Sequence, residues 1–305
     1  MTPVRELHDG DADQVVARVE EQLGHDASLN PLVNSELDRA LLRDSFRHIA
    51  DPAWVYDATG RIAGHLYGAL LADSTRMSVW TGPDGASFDD AEVLSELVEE
   101  ATAIWRVRGA KAHYVWCLGE PARIKHWTDL GYARVSVRGA MTLDRGHPRA
   151  LPGGYSIRRG TFADLDRAIE LDAVLDAAQG VEARSMTRVE REANREELMD
   201  TLDDPETHHY VVECNKRVIA QCVTFPAPPR RGSFDATLHL SEVVVDPRHQ
   251  RRGVANAMLD TAFADGLAHG FRFAETQWRV SNLGATLFWT SYGFQPTYVR
   301  LQRTL

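Results

Sequence analysis

Val243-Val244-Val245-Asp246-Pro247-Arg248-His249-Gln250-Arg251-Arg252-Gly253-Val254-Ala255 holds the residue types from which an anion site is made. Arg251 and Arg252 can give charge-assisted hydrogen bonds. Gly253 has no Cβ to keep an anion off the backbone. From Val254 onward the apolar residues follow a helical period (Met258, Ala262, with Leu259 and Phe263 beside them), so a helix begins there. Its first-turn N–H groups lack partners and sit at the positive end of the helix dipole. Ala255 keeps that turn small, and Asn256 follows it. A basic cluster in a chain of net charge −10 favours a specific anion. On the arginines alone, a solvated loop on an ordinary strand-to-helix connection stays open as the other reading.

The elements that must hold this loop follow from its flanks. Leu238 to Val245 is apolar and rich in β-branched residues, as a strand is. Asp246-Pro247 stops it, since proline cannot donate to a sheet ladder and restricts its predecessor. A strand therefore feeds a basic loop, which feeds a helix. Downstream, Asn282 sits where it can cap a second helix that runs toward Gly293-Phe294.

Gln250-Arg251-Arg252-Gly253-Val254-Ala255 resembles the Gln/Arg-x-x-Gly-x-Gly/Ala signature of the GCN5-related N-acetyltransferases. The segment Asn282 to Phe294 is similar to that family's second signature: Asn, Ala three residues on, an aromatic seven on, and Gly-Phe at the end. The resemblance implies that the loop and helix start (Gln250, Arg251, Arg252, Gly253, Val254, Ala255, Asn256) hold the pyrophosphate of acetyl-CoA. It implies that the strand residues Val243, Val244 and Val245 offer backbone groups to the pantetheine arm. Asn282 would lie near the pantetheine or pyrophosphate, and a helix-capping role is compatible with that.

An amine attacking a thioester must be neutral, so a group must take its proton. The resemblance gives that role to Glu242, just before the valine run, because several branches of the family use a glutamate in this strand. An outward carboxylate paired with a neighbour is the other reading. A second family position for the base is Gln277, which cannot serve, and Glu275 is the fallback. The family often places a tyrosine seven residues after the asparagine. This chain has Trp289 there, whose indole is no acid at neutral pH. Tyr292, Tyr298 or water remain for the acid, which stays unassigned.

The 305 residues allow one large domain or two ordinary ones. An acidic balance argues against nucleic acid and anionic membrane as main partners. Cys117, Cys214 and Cys222 fall in strand-like runs without metal-ligand spacing, and the histidines show no ligand spacing either. No metal is expected. No stretch has the length of a signal peptide or membrane span, so a cytoplasmic protein is expected.

The order of elements repeats at a period of about 150 residues. In the first half, helices are expected after Asp11 and Pro31 (with Leu37, Leu41 and Ile49 buried), from Asp89 or Asp90, and over Pro121 to Leu130. Strands are expected over Trp54 to Tyr67 (two, with a turn), Arg76 to Trp80, Ala112 to Leu118 and Arg134 to Leu143. The second half has a strand at Tyr155, a capping box at Thr161 to Asp164, a polar helix over Thr187 to Leu202, and a hairpin across Asn215-Lys216. Trp127-Thr128-Asp129-Leu130-Gly131-Tyr132 echoes Trp289-Thr290-Ser291-Tyr292-Gly293-Phe294. The resemblance thus implies an α/β (α+β) chain of two tandem folds of this family, each a mixed, mostly antiparallel sheet flanked by helices. The halves are read as 1–146 and 154–305, joined by a stretch rich in proline and glycine.

At the place of the anion loop the first half has Gly82 to Asp90, with three aspartates and no arginine. Carboxylates at a helix start satisfy the dipole and repel a pyrophosphate. The first half is read as a degenerate copy that does not bind acetyl-CoA. Tandem members of the family with one active half, mycothiol synthases among them, have this arrangement, though no motif ties this chain to that substrate. The expected function is acetyl transfer to an amine, small molecule or peptide, by direct attack in the second half. The acceptor site is expected near Thr187–Leu202 and Pro226–Gly232. The alternative is a non-catalytic acyl-CoA-binding or regulatory protein. Oligomeric state is not legible.

Overall fold

The computed structural model describes residues 3–47, 51–72, 76–144, 149–179, 195–196, 199–200 and 202–305. Two compact units emerge. The first comprises Met1–Arg138, Arg230–Phe234 and Pro296–Leu305, and the second Gly139–Pro229 and Asp235–Gln295. This division differs from the sequential halves 1–146 and 154–305. Proline and glycine mark a loop, but they do not say which sheet the next strand enters.

In the first unit, β1 (Val4–Glu6), β2 (Trp54–Ala58), β3 (Arg61–Leu66) and β6 (Ala86–Phe88) form one antiparallel sheet in that order. A second set runs β4 (Ala69–Ala72), β5 (Met77–Thr81), β7 (Ala112–Leu118) and β14 (Gln295–Thr304). There β5 is parallel to β7, and β14 pairs antiparallel to β7, Tyr298–Thr304 against Leu118–Ala112. Helices α1 (Ala12–Leu29), α2 (Arg39–Arg47), α3 (Ala91–Val107) and α4 (Pro121–Asp129) accompany them. The apolar stripe of α1, Val15, Val16, Val19 and Leu23, packs on Val55 and Ile62 with Leu42 and Phe46. Leu41, expected inside, is exposed. Asp38 accepts from the Leu41 N–H and starts α2 one step out of the expected phase, so Leu42 turns inward instead. Ile49 lies outside the described residues.

In the second unit, β13 (Phe273–Arg279), β12 (Thr237–Val245), β11 (Arg217–Pro226), β10 (His208–Cys214) and β9 (Tyr155–Arg159) are neighbours in that order. β12 and β13 are parallel, and the other pairs antiparallel. Positive φ at Asn215 and Lys216 makes the expected tight hairpin between β10 and β11. The Thr161–Asp164 capping box is present, and its short turn leads into α5 (Leu165–Ala178). α5 buries Leu171 against Val211, Val218 and Val244. α6 (Val254–Ala268) and α7 (Leu283–Tyr292) complete the unit. Most of the polar helix expected over Thr187–Leu202 falls outside the described residues.

The sequence echo is structural. The Tyr132 N–H donates to the Trp127 carbonyl at 3.2 Å, and the Phe294 N–H to the Trp289 carbonyl at 3.0 Å. In each unit a glycine of positive φ, Gly131 or Gly293, ends the helix and returns an aromatic ring beneath the buried tryptophan. Mixed, mostly antiparallel sheets flanked by helices are what the sequence leads one to expect. Among the described residues no helix is long and apolar enough to cross a membrane.

Candidate functional site

The parallel pairing of β12 with β13 covers Thr237–Leu240 against Phe273–Thr276 and stops there. A cleft of about 1030 Å³ lies where the strands part. Its lining includes Ser241 to Val245, Gln277 to Arg279, Gly253 to Asn256, and Asn282. A bulge shapes the β12 side. The register against β11 passes from Gln221–Val244 to Val223–Ser241, so Cys222 faces two residues, Glu242 and Val243. Glu242 takes φ +49° there. A left-handed non-glycine residue costs about 1–3 kcal/mol, and this one lines the cleft. Val244 sends its side chain into the core with Leu171, which leaves backbone for the cleft.

At the head of α6, Gly253 is the N-cap with φ +78° and supplies no side-chain cap. A Cβ built on it meets nothing within 4 Å. Val254, Ala255 and Asn256 supply the first-turn N–H groups, and the first backbone bond runs from the Ala257 N–H to the Gly253 carbonyl. The basic side chains divide. Arg248 pairs with Asp246 at 2.8 Å, and Arg167 reaches the same carboxylate at 2.9 Å. The Arg248 hydrogen bond holds the Asp246 carboxyl well below the usual range. Gln250 lines the cleft but donates to the Val245 carbonyl at 3.0 Å. Arg251, at φ +57°, lines the cleft. Arg252 does not; its guanidinium donates to the Tyr155 hydroxyl at 3.3 Å.

Asn282 lines the cleft and caps α7, its Oδ1 accepting from the Ala285 N–H at 2.9 Å. Gln277 and Trp289 are in the wall. The two tyrosines considered as acids are elsewhere. Tyr292 donates to Asp260 at 2.5 Å, and burial followed by that bond raises its phenol far above the ordinary value. Tyr298 belongs to the first unit, buried with its hydroxyl 3.5 Å from Asp26. Neither lines the cleft. Glu275 is buried, also outside the lining, and holds His239 at 3.0 Å.

Sequence reasoning missed His239, Asp172, Asp176, Trp278 and Arg279, all of which line the cleft. Reading β12 and β13 as parallel neighbours would have placed His239 opposite Glu275. The Trp278 indole N–H is buried with no partner among the described residues. The open space over Gly253, at a helix start with no capping side chain, fits a diphosphate. Among the described residues no group of three or more His, Cys, Asp or Glu is placed to hold a metal.

Residues 175–294 match the model of the acetyltransferase (GNAT) family. No curated protein matches the chain in sequence. Over 99% of this chain and 95% of its own, a GCN5-related N-acetyltransferase from Sphaerobacter thermophilus is similar in structure, with 17% identity and a TM-score of 0.65. A tandem GNAT protein from the clavulanic acid biosynthesis pathway is similar over 99% of this chain and 98% of its own, at 16% identity and a TM-score of 0.57. At such identities the likeness speaks for fold. The chain carries a GNAT-family domain in its second half, and its fold is that of GNAT proteins, tandem members included. Members of this family are acyltransferases that use acetyl-CoA.

Proposed function

We propose that the second unit transfers an acetyl group from acetyl-CoA to an amine by direct attack. One contrast carries this reading. α6 begins at a left-handed glycine with no capping side chain, at the edge of the cleft. The corresponding helix of the first unit, α3, is capped by its own Asp90, which accepts from the Glu92 and Val93 N–H groups. The N-terminal half is accordingly a degenerate copy that does not bind acetyl-CoA.

Bound acetyl-CoA would supply an activated acetyl thioester. The first-turn N–H groups of Val254, Ala255 and Asn256, with Arg251, bind its diphosphate. Ser241 to Val245 present backbone groups on the side of β12 that β13 has left. Glu242 draws a cationic amine into the cleft and takes its proton. Asp172 and Asp176 share the lining and add negative charge on the α5 side. That suits an ammonium-bearing acceptor, small molecule or peptide. Carboxylates on the cleft walls oppose polyanions such as nucleic acid.

Calorimetry with coenzyme A tests the reading. Wild-type protein takes it up, and Gly253→Asp abolishes uptake by placing a carboxylate where the diphosphate lies. Equal heats from both sink the assignment. Thiol release over a panel of amines separates the enzyme from an acyl-CoA-binding regulator. Binding with no turnover across the panel supports the regulator.

A further inference from the structure

His239 and Glu275 form a pair that the scheme above leaves idle. They face each other across the parallel ladder of β12 and β13, one register position before its last pair. The His239 Nδ1 lies 3.0 Å from Glu275 Oε1. Glu275 is 2% exposed and does not line the cleft, whereas His239 does. A carboxylate only accepts, so Nδ1 carries the hydrogen of this bond and Nε2 is left for other work. Phe225, opposite on β11, packs its ring against the imidazole with centroids 4.9 Å apart and fixes its plane. A carboxylate holding one ring nitrogen sets the direction of the other nitrogen.

The position of the pair matters, and here the argument rests on the acetyl-CoA reading. From Val245 back to Ser241 a strand covers ~13 Å. An arm anchored at Gly253 and laid back along that stretch ends at the fork where β12 and β13 part. His239 stands at the fork. We propose that His239, oriented by Glu275, is the proton donor to the sulfur that leaves the thioester. The amine nitrogen bonds the acetyl carbon and the carbon–sulfur bond breaks. The electron pair of that bond goes to sulfur, and sulfur takes the Nε2 proton of His239. The ammonium proton passes through Glu242 to water before the attack. Glu242 then takes the second proton, which nitrogen loses on bonding carbon, and both groups return to their starting states by exchange with water. Glu275 is a positioning residue. Tyr292 and Tyr298, tied to Asp260 and Asp26, leave this role open to the histidine. The other charged or titratable groups in the cleft lining are Glu242 on the same strand, Asp172 and Asp176 on α5, His249, and Arg251 and Arg279.

Free coenzyme A tests this without an acceptor. An imidazolium beside the sulfur stabilises the thiolate, so the bound thiol ionises ~1–3 pH units lower than in solution. The ultraviolet thiolate band reads this, with the desulfo-coenzyme A complex as blank to remove the protein's own thiols. In wild type the band emerges at the lower pH. In His239→Gln calorimetry still shows uptake, but the thiol ionises as in water. Glu275→Gln gives an intermediate titration. A wild-type complex whose thiol ionises as in water, or a shift that survives His239→Gln, overturns the inference and leaves the acetyl-CoA reading standing. Absence of any heat from coenzyme A overturns both.

Discussion

Gln250 donates its side-chain N–H to the carbonyl oxygen of Val245 at 3.0 Å, tying the basic loop to the strand it leaves. Gln250 thus braces the loop even though it lines the cleft. Removing it loosens the approach to Gly253. Gln250→Ala is expected to weaken coenzyme A binding by about 0.5–1.5 kcal/mol, the worth of one hydrogen bond. Calorimetry measures it; an unchanged affinity means the loop holds its shape without the brace.

The arginines are expected to differ. Arg251 lines the cleft, while Arg252 is engaged with Tyr155. Arg251→Ala should cost about 1.5–3 kcal/mol of coenzyme A affinity, as loss of a bond to a charged group does. Arg252→Ala should cost much less. Equal losses in a titration series would mean that both reach the anion.

Asn282→Ala removes the Oδ1 cap from α7. A loss of about 0.5–2 kcal/mol in stability is expected, visible as a lower denaturant midpoint with unchanged slope. An unchanged midpoint would show that the side chain serves the cleft alone.

Acid should weaken the first unit through two histidines. Nδ1 of His65 lies 2.9 Å from the Ser87 hydroxyl and Nε2 2.9 Å from the Asp84 carbonyl. His113 lies between the Tyr132 and Thr81 hydroxyls. Burial lowers them to about 4 and about 3 from an ordinary 6.5. Below pH 6.5 the unfolded chain takes up protons that the folded one refuses, so stability falls as pH drops toward those values. The slope approaches about 1.4 kcal/mol per pH unit for each ring. Hydrogen exchange of β3 and β7 between pH 7.5 and 5 follows it. Protection that stays level across that window would show that the rings protonate in place.

The helix-start chemistry was open to sequence because it is local. Gly253, the apolar period after it, the cap at Asn282 and the start of a helix at Asp89 or Asp90 each depend on a few neighbouring residues, and the structure places the cap at Asp90. The aromatic returns at Tyr132 and Phe294 were visible for the same reason, as a six-residue echo. What stayed hidden depends on partners far along the chain. His239 meets Glu275 only once two strands separated by a helix lie in register. Which arginine faces the cleft turns on Asp246 and Tyr155 engaging Arg248 and Arg252. The phase of α2 hung on a single cap at Asp38, enough to exchange Leu41 for Leu42. The extra residue at Glu242 comes from a bulge, which alternation of side chains does not announce.

The pairing of Tyr298–Thr304 with β7 has a consequence for how the protein is made. The amino-terminal unit waits for a strand that the ribosome adds after the cleft-bearing part has been translated. Until then β7 has an unfilled edge, available to other nascent chains. Emergence of Tyr298–Thr304 is the step that closes it, so the unit begun first is completed only after the cleft-bearing unit has been translated.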